Sequence, residues 1–307
     1  MSADHSHDHH HHHSHTVELT SVSRPFIIGI VLNSLFVIVE VIAGFSSHSL
    51  ALLTDAGHNL GDVAGLALSL MAFRLAKVKA DKEYTYGYSK STVLVALINA
   101  VVLLIAIGSI GYEAVLRLFN PQPTEGLPMA LVAGIGILIN SASAFFFLRD
   151  KDKELNARGA YLHMAMDALV SAGVVVAGVI IYYTHLYWLD SAVSIIIMLV
   201  ILVSTWNLLK DSFRLSLDAV PRTIDMEKVK SEVLKLQGIK NIHHIHVWAI
   251  STTINALTAH IVIDEHMAGP DEQRLKEKVK HELLHHNIQH ATLETERGDH
   301  KCTDEEH

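Results

Sequence analysis

Two histidine–aspartate pairs stand out, because each combines metal-binding side chains within an apolar stretch. His58 and Asp62 are four residues apart, and so are His163 and Asp167 much later in the chain. In a helix this spacing places two side chains on one face, one turn apart. Two imidazoles and two carboxylates together form a tetrahedral ligand set that suits Zn²⁺. Ionisable groups within lipid cost roughly 2.5–3.5 kcal/mol each to insert, so such residues are functional candidates by default.

The alternative is that each pair is a buried hydrogen bond with a packing role only. One pair alone would favour that interpretation, whereas two copies, both in apolar stretches, favour a metal site. Asp55 shares the stripe of His58 and could hold that imidazole in place or act as a structural cap. Small residues beside both stripes predict that the two helices approach each other closely; they include Gly57, Gly61, Gly65, Ala168 and Gly173.

The composition predicts a membrane protein. Half of the 307 residues are hydrophobic, and six stretches reach the length of about 20 residues that crosses a bilayer. The net charge of −8 argues against nucleic acid as a partner, and the single cysteine, Cys302, excludes a disulfide within the chain. The six predicted transmembrane helices lie near 26–44, 50–73, 92–118, 128–148, 156–183 and 187–209.

The distribution of Lys and Arg predicts the orientation. Basic residues are concentrated in the loops at 74–90 and 149–158, whereas the alternate loops near 45–49 and 184–186 carry none. Basic loops stay on the cytoplasmic side of the membrane. We therefore expect a multi-pass protein of the inner (plasma) membrane, with both termini in the cytoplasm.

The chain divides into four parts. We expect 1–16 to be a disordered His-rich tail, 17–209 the transmembrane domain, 210–298 a soluble α+β domain and 299–307 a polar tail. The His-rich tail is a natural metal-collecting tract, an expression tag or a tail of no consequence. In the soluble part the sequence predicts a helix at 224–237, strands at 242–250 and 254–264, a helix at 269–286 and a strand at 291–296. That order predicts a small open sheet with helices on one face.

Three stretches, SLALLTDAGHNLGDVAGLALSLMAF, NARGAYLHMAMDALVS and IHHIHVWAIS, resemble the cation diffusion facilitator family. The resemblance covers 17–298 and is greatest to the bacterial branch associated with zinc, cobalt and cadmium resistance, related to eukaryotic zinc transporters. It implies six transmembrane helices followed by a cytoplasmic ferredoxin-like domain, usually in a homodimer. It also implies Zn²⁺/H⁺ antiport, with the two His–Asp pairs as ligands of the transported ion.

The soluble part carries further histidines. By the same resemblance, His243, His260 and Glu296 match positions that bind regulatory zinc, so Zn²⁺ is expected both as transported substrate and as a possible regulatory ligand. Packed or solvated histidines without metal are the alternative. Strand alternation places His244 and His246 on one face and His243 on the other.

The leading functional prediction is a divalent metal/proton antiporter that exports metal from the cytoplasm by alternating access. It is not an enzyme, and its expected partners are divalent metal ions, protons, the lipid bilayer and a second copy of the chain. An intramembrane metallohydrolase is one alternative, although no HExxH motif occurs and four ligands would fill the coordination sphere. A metal sensor without transport is another. The ligand set admits Zn²⁺, Cd²⁺ and Co²⁺ alike.

Overall fold

The computed structural model describes residues 24–147 and 155–298, and the tails at 1–16 and 299–307 and loop residues 149–154 lie outside this part. Its first six helices are α1 (Arg24–Ser46), α2 (Leu50–Ala76), α3 (Ser91–Phe119), α4 (Gly126–Phe147), α5 (Leu155–Thr184) and α6 (Trp188–Ser216). The rest consists of α7 (Met226–Leu234), β1 (Ile239–Ala249), β2 (Asn255–Ile263), α8 (Gly269–His285) and β3 (His290–Arg297). The predicted α-β-β-α-β order of the last part is confirmed.

The long helices form a membrane domain. Within the described residues, four segments are long and apolar enough to cross a bilayer: Ser91–Phe119, Gly126–Phe145, Tyr161–Thr184 and Trp188–Ser216. The apolar stretch Val31–Ser46 of α1 is shorter. Large apolar side chains such as Leu138 and Val203 point outward. Outward apolar surface of this extent is what lipid requires.

The start of α2 is held by Asp190, at the start of α6. The Asp190 carboxylate accepts hydrogen bonds from the Ser49 hydroxyl at 2.6 Å and from the backbone N–H groups of Leu50 at 2.7 Å and Ala51 at 3.1 Å. All four residues are buried. A helix N-terminus leaves N–H groups unpaired and favours a negative charge, so the carboxylate satisfies both needs. This contact fixes the position of α2 along the axis of the helix bundle, and with it the position of His58.

The glycines of α2 face α3 rather than α5, so the expectation that they bring the two metal-site helices together is wrong. A Cβ atom at Gly65 would lie 3.0 Å from Nδ2 of Asn99, and the Leu103 side chain fills the space beside Gly61. On α5, a Cβ atom at Gly173 would meet no atom within 4 Å among the described residues. The two helices therefore meet through longer polar side chains.

The cytoplasmic part is a three-stranded sheet covered by two helices. β1 pairs antiparallel with β2, and β3 pairs parallel with β2. Leu257 and Ile261 of β2 point into a core with Val233 of α7 and Val279 of α8. His260 alternates with these residues and therefore lies on the other face of the sheet.

One lysine joins the membrane domain to the cytoplasmic part. Lys90, just before α3, donates from Nζ to the Leu215 carbonyl at 3.0 Å, to Asp218 at 2.5 Å and to the Ala249 carbonyl at 2.9 Å. Leu215 lies in the last turn of α6, and Ala249 ends β1. The end of the bundle where α2 and α6 finish therefore faces the sheet.

We expect Asp190→Ala to destabilise the membrane domain, because it leaves one hydroxyl and two backbone N–H groups buried without an acceptor. The loss should be about 2–4 kcal/mol, seen as a midpoint of thermal unfolding in detergent lowered by roughly 5 °C. Asp190→Asn keeps one carbonyl oxygen, so its unfolding midpoint should lie between those of Asp190→Ala and the natural protein. Glu113→Ala is the control, since it removes only a half-exposed partner of Arg117. Equal midpoints for Asp190→Ala and the control would contradict this assignment.

Candidate metal centre

The two His–Asp pairs meet between α2 and α5, and each histidine contacts the aspartate of the other helix. Nε2 of His58 lies 3.3 Å from Oδ1 of Asp167, and Nε2 of His163 lies 3.0 Å from Oδ2 of Asp62. Within each helix, the corresponding separations are both 3.7 Å. The two imidazole rings are 5.9 Å apart between centroids and nearly perpendicular. The structure thus brings together the four residues that the sequence singles out.

These separations fit one metal ion. Ligand bonds of about 2.0–2.2 Å in a tetrahedron place neighbouring ligand atoms roughly 3.3–3.6 Å apart. The four histidine-to-carboxylate separations of 3.0, 3.3, 3.7 and 3.7 Å bracket that value. Ligand atoms of His58, Asp62 and Asp167 all lie within 4.8 Å of one another, whereas His163 lies outside this set and is linked to it by its contacts with the two aspartates. Small side-chain movements would therefore complete a tetrahedral site.

The cluster is more exposed towards one end of the two helices than towards the other. The side chain of Asp167 is 4% exposed, whereas Asp62 is 34% and His163 is 42% exposed. Asp62 lies further towards the end of α2 than His58, and His163 lies nearer the start of α5 than Asp167. Both exposed residues therefore face the end of the bundle that carries the cytoplasmic sheet. A metal ion arriving from that side would meet His163 and Asp62 first.

The other side is closed by buried polar residues. Asp55, one turn before His58, accepts a hydrogen bond from the Ser171 hydroxyl at 3.2 Å. Glu40 of α1 accepts one from the Asn59 side chain at 3.0 Å. All four of these polar residues are buried. No repeated spacing in the sequence marks Glu40 or Asn59 as part of this site.

A second cluster lies on the open face of the sheet. Nδ1 of His260 is 2.8 Å from Oε1 of Glu296, and Nε2 of His243 is 3.4 Å from Oε2 of the same carboxylate. The latter two atoms are buried and have no hydrogen-bond partner among the described residues. Ligand atoms of all three residues lie within 4.8 Å of one another. The set fits one divalent ion with two imidazoles and a carboxylate.

A bulge in β1 changes the predicted placement of its histidines. The pairing with β2 shifts between His243 and His246, and His244 adopts a φ of 51° there. As a result the rings of both His243 and His244 lie near the ring of His260, at 5.5 and 5.1 Å. Simple alternation correctly groups His244 with His246, whose rings are 4.9 Å apart. It wrongly separates His243 from His244, because a bulge adds an unpaired residue.

The described chain is thus a multi-pass helical membrane protein with a cytoplasmic α+β domain and a polar cluster between two of its helices. Its sequence matches the family profile described as the cation efflux transmembrane domain over residues 26–215. It also matches the profile described as the cation efflux protein, cytoplasmic domain, over residues 221–297. The chain belongs to the cation efflux, or cation diffusion facilitator, family.

Relatives of similar length include three bacterial proteins. The "Cadmium, cobalt and zinc/H(+)-K(+) antiporter" of Bacillus subtilis is 35% identical over 279 residues, 90% of each chain. "Metal cation efflux system protein CzcD" of Cupriavidus metallidurans is 37% identical over 273 residues, 89% of this chain and 86% of that one. "Zinc transporter ZitB" of Escherichia coli is 37% identical over 266 residues, 85% of this chain and 83% of that one. These are efflux proteins and not enzymes, which removes the metallohydrolase alternative.

We expect the open side of the cluster to show in chemical labelling. In a chain whose own cysteine is removed by Cys302→Ser, His163→Cys should react with a membrane-impermeant maleimide in inside-out vesicles about tenfold faster than Ser171→Cys. The physical reason is that His163 is partly exposed and Ser171 is fully buried. Equal rates, or labelling of His163→Cys from the opposite side alone, would contradict the direction of access.

Proposed function

We propose that this protein exports divalent transition-metal cations, Zn²⁺ foremost, from the cytoplasm in exchange for protons. The observation that carries the proposal is the crossed contact of His58 with Asp167 and of His163 with Asp62 at tetrahedral spacing within an apolar bundle. The relatives' names, which include zinc, cadmium and cobalt, support this choice of cargo. The ligand set itself accepts all three ions.

The exchange follows from the chemistry of the ligands. Without metal, a proton between each imidazole and its carboxylate satisfies both groups in a place where water is scarce. Zn²⁺ binds neutral imidazole and ionised carboxylate, so its arrival displaces protons. Protons rebinding from the other side of the membrane would release the metal. The cluster is then occupied in both states, and rocking of the helices about it would alternate access.

We further infer that all six long helices, α1 to α6, span the membrane. With the basic loops inside, both termini would lie in the cytoplasm of a cell whose inner (plasma) membrane holds the protein. The cytoplasmic part would take the ferredoxin-like arrangement and join two copies of the chain into a homodimer. The antiparallel β1–β2 pair and the parallel β2–β3 pair are compatible with that arrangement.

The cluster of His243, His260 and Glu296 is proposed as a regulatory zinc site. It lies on the sheet whose first strand ends at Ala249, and the Ala249 carbonyl accepts a hydrogen bond from Lys90. Metal bound there would tighten β1, β2 and β3 against one another. The strand end that contacts the membrane domain would then be held more firmly.

Transport in inside-out vesicles tests the proposed function. Uptake of Zn²⁺ should rise when the vesicle interior is made acidic and should fall to the leak level with a protonophore, because metal and protons exchange. Asp167→Ala should abolish gradient-driven uptake, since it removes the most buried ligand.

Glu113→Ala is the matched control, because it removes a carboxylate from the membrane domain away from the cluster, and it should retain uptake. Flux that ignores the proton gradient would argue for a channel or uniporter. Normal flux in Asp167→Ala would remove the proposed transport site.

The regulatory site is tested by thermal unfolding of full-length protein in which Asp167→Ala has silenced the membrane site. Zinc at 100 times its dissociation constant should still stabilise that protein by about 2.7 kcal/mol, because it binds only the folded state. Adding His260→Ala should remove this stabilisation. Adding His281→Ala, on α8 and outside the cluster, should preserve it. An unchanged zinc effect with His260→Ala would show that these residues are not the site.

A further inference from the structure

The row of polar contacts between α2 and α5 does not end at the four metal ligands. One turn further from the cytoplasmic sheet, the Ser171 hydroxyl donates a hydrogen bond to Oδ2 of Asp55 at 3.2 Å. Ser171 lies four residues after Asp167 on α5. Asp55 lies three residues before His58 on α2, so both residues share a helix face with a ligand. The two helices thus carry three polar contacts in succession, of which the third is fully buried.

An apolar barrier follows directly after this third contact. The next positions on the same two helix faces, three residues further along each helix, are Leu52 and Val174. Both are fully buried and belong to one hydrophobic cluster. An ion that leaves its four ligands on the side away from the sheet therefore meets Asp55 and Ser171 as the last polar groups of this row.

The two structural roles expected for Asp55 are filled by other residues. The start of α2 is capped by Ser49 and held by Asp190. The imidazole of His58 contacts Asp167, and no hydrogen bond or ion pair joins it to Asp55 among the described residues. Oδ1 of Asp55 is buried and has no hydrogen-bond partner in the described part of the chain. Leaving a buried oxygen unpaired costs about 1–3 kcal/mol, and a passing cation would supply the missing partner.

We propose that Asp55 and Ser171 complete a second, transient metal site on the way out, which we call the exit site. The inference rests on the export function proposed above. Moving outward by about one helical turn, roughly 5 Å, the ion breaks its bonds to the two ligands nearer the sheet. It forms new bonds to the Asp55 carboxylate and the Ser171 hydroxyl, and it keeps His58 and Asp167 throughout.

Charge balance and ligand chemistry both favour this route. Two carboxylates surround the ion at each site, so its double positive charge stays neutralised inside the apolar bundle. Without Asp55, only one carboxylate would accompany the ion one turn further out. The exit site replaces one imidazole by a hydroxyl, which is not among the usual ligands of Zn²⁺. The ion is therefore held more weakly there, and its release to the outside becomes easier.

Zinc binding and zinc uptake, measured on the same full-length proteins, test the exit site. The parent protein carries His260→Ala, so that the cytoplasmic cluster does not contribute. Adding Asp55→Asn keeps the side-chain size and a carbonyl oxygen for Ser171, but it removes the charge that balances the ion. Affinity for zinc in detergent should stay within about threefold of the parent value, whereas the maximal uptake rate in inside-out vesicles should fall about tenfold or more.

Glu113→Gln, which alters a carboxyl group away from the cluster, should leave both quantities at the parent values. Parent-like uptake by Asp55→Asn would overturn the exit site, because a neutral hydrogen-bond acceptor would then be sufficient. A loss of zinc affinity of about 10–100-fold would also overturn it, by making Asp55 a positioning residue for His58.

Cadmium bound to a thiolate gives a direct signature of ligation, because the bond absorbs ultraviolet light by charge transfer. In a chain whose single cysteine is removed by Cys302→Ser, Asp55→Cys should show this band when Cd²⁺ is added, since thiolate is a soft ligand that Cd²⁺ prefers. Thr54→Cys is the matched control, because Thr54 is also buried but contacts Ser194 of α6, and it should show no band. A missing band in Asp55→Cys, or an equal band in Thr54→Cys, would overturn the exit site.

Failure of the export function itself would look different. If the parent protein does not take up zinc under a proton gradient, export is wrong and the exit site falls with it. If the parent protein takes up zinc and Asp55→Asn does so at the same rate, only the exit site is wrong.

Discussion

The crossed contacts between α2 and α5 place ionisable groups inside an apolar bundle, and the rest of the membrane domain is arranged around that constraint. A charge in lipid must have a partner in every state of the protein. Because each histidine lies against the aspartate of the opposite helix, neither half of the cluster is satisfied by its own helix alone. The two helices are therefore held together by the same side chains that would bind metal, and losing or gaining an ion would change how they pack.

Two further contacts hold this cluster in place. Asp190 fixes the start of α2 against α6, so His58 cannot slide along the bundle without leaving buried N–H groups unpaired. At the opposite end, Lys90 connects the entry to α3 with the end of α6 and the end of β1. A change in the sheet would therefore be felt where the helices leave the membrane. Lys90 is thus a direct contact between the sheet that carries the cytoplasmic cluster and the ends of the helices.

The polar residues behind the cluster account for its lower exposure on that side. Asp55 and Ser171 are buried one turn beyond the metal ligands, and Glu40 and Asn59 seal the gap towards α1. Such groups are costly in lipid, and apolar residues of similar size would pack at least as well. Their retention at this place is consistent with a role in handling charge.

The sequence alone determined the family and the candidate ligands, because i, i+4 spacing and apolar context depend only on local order. His58, Asp62, His163 and Asp167 could be named from it, as could the order of helices and strands after the membrane domain. The crossed pairing, the contact of Asp190 with the start of α2 and the hydrogen bond between Glu40 and Asn59 depended on which helices meet, and no local pattern records that. The glycines on α2 suggested contact with α5, yet they lie against α3, because a glycine allows close approach of whichever helix lies beside it. The bulge at His244 likewise emerged only from the pairing of two strands, because their register is set by contacts between them.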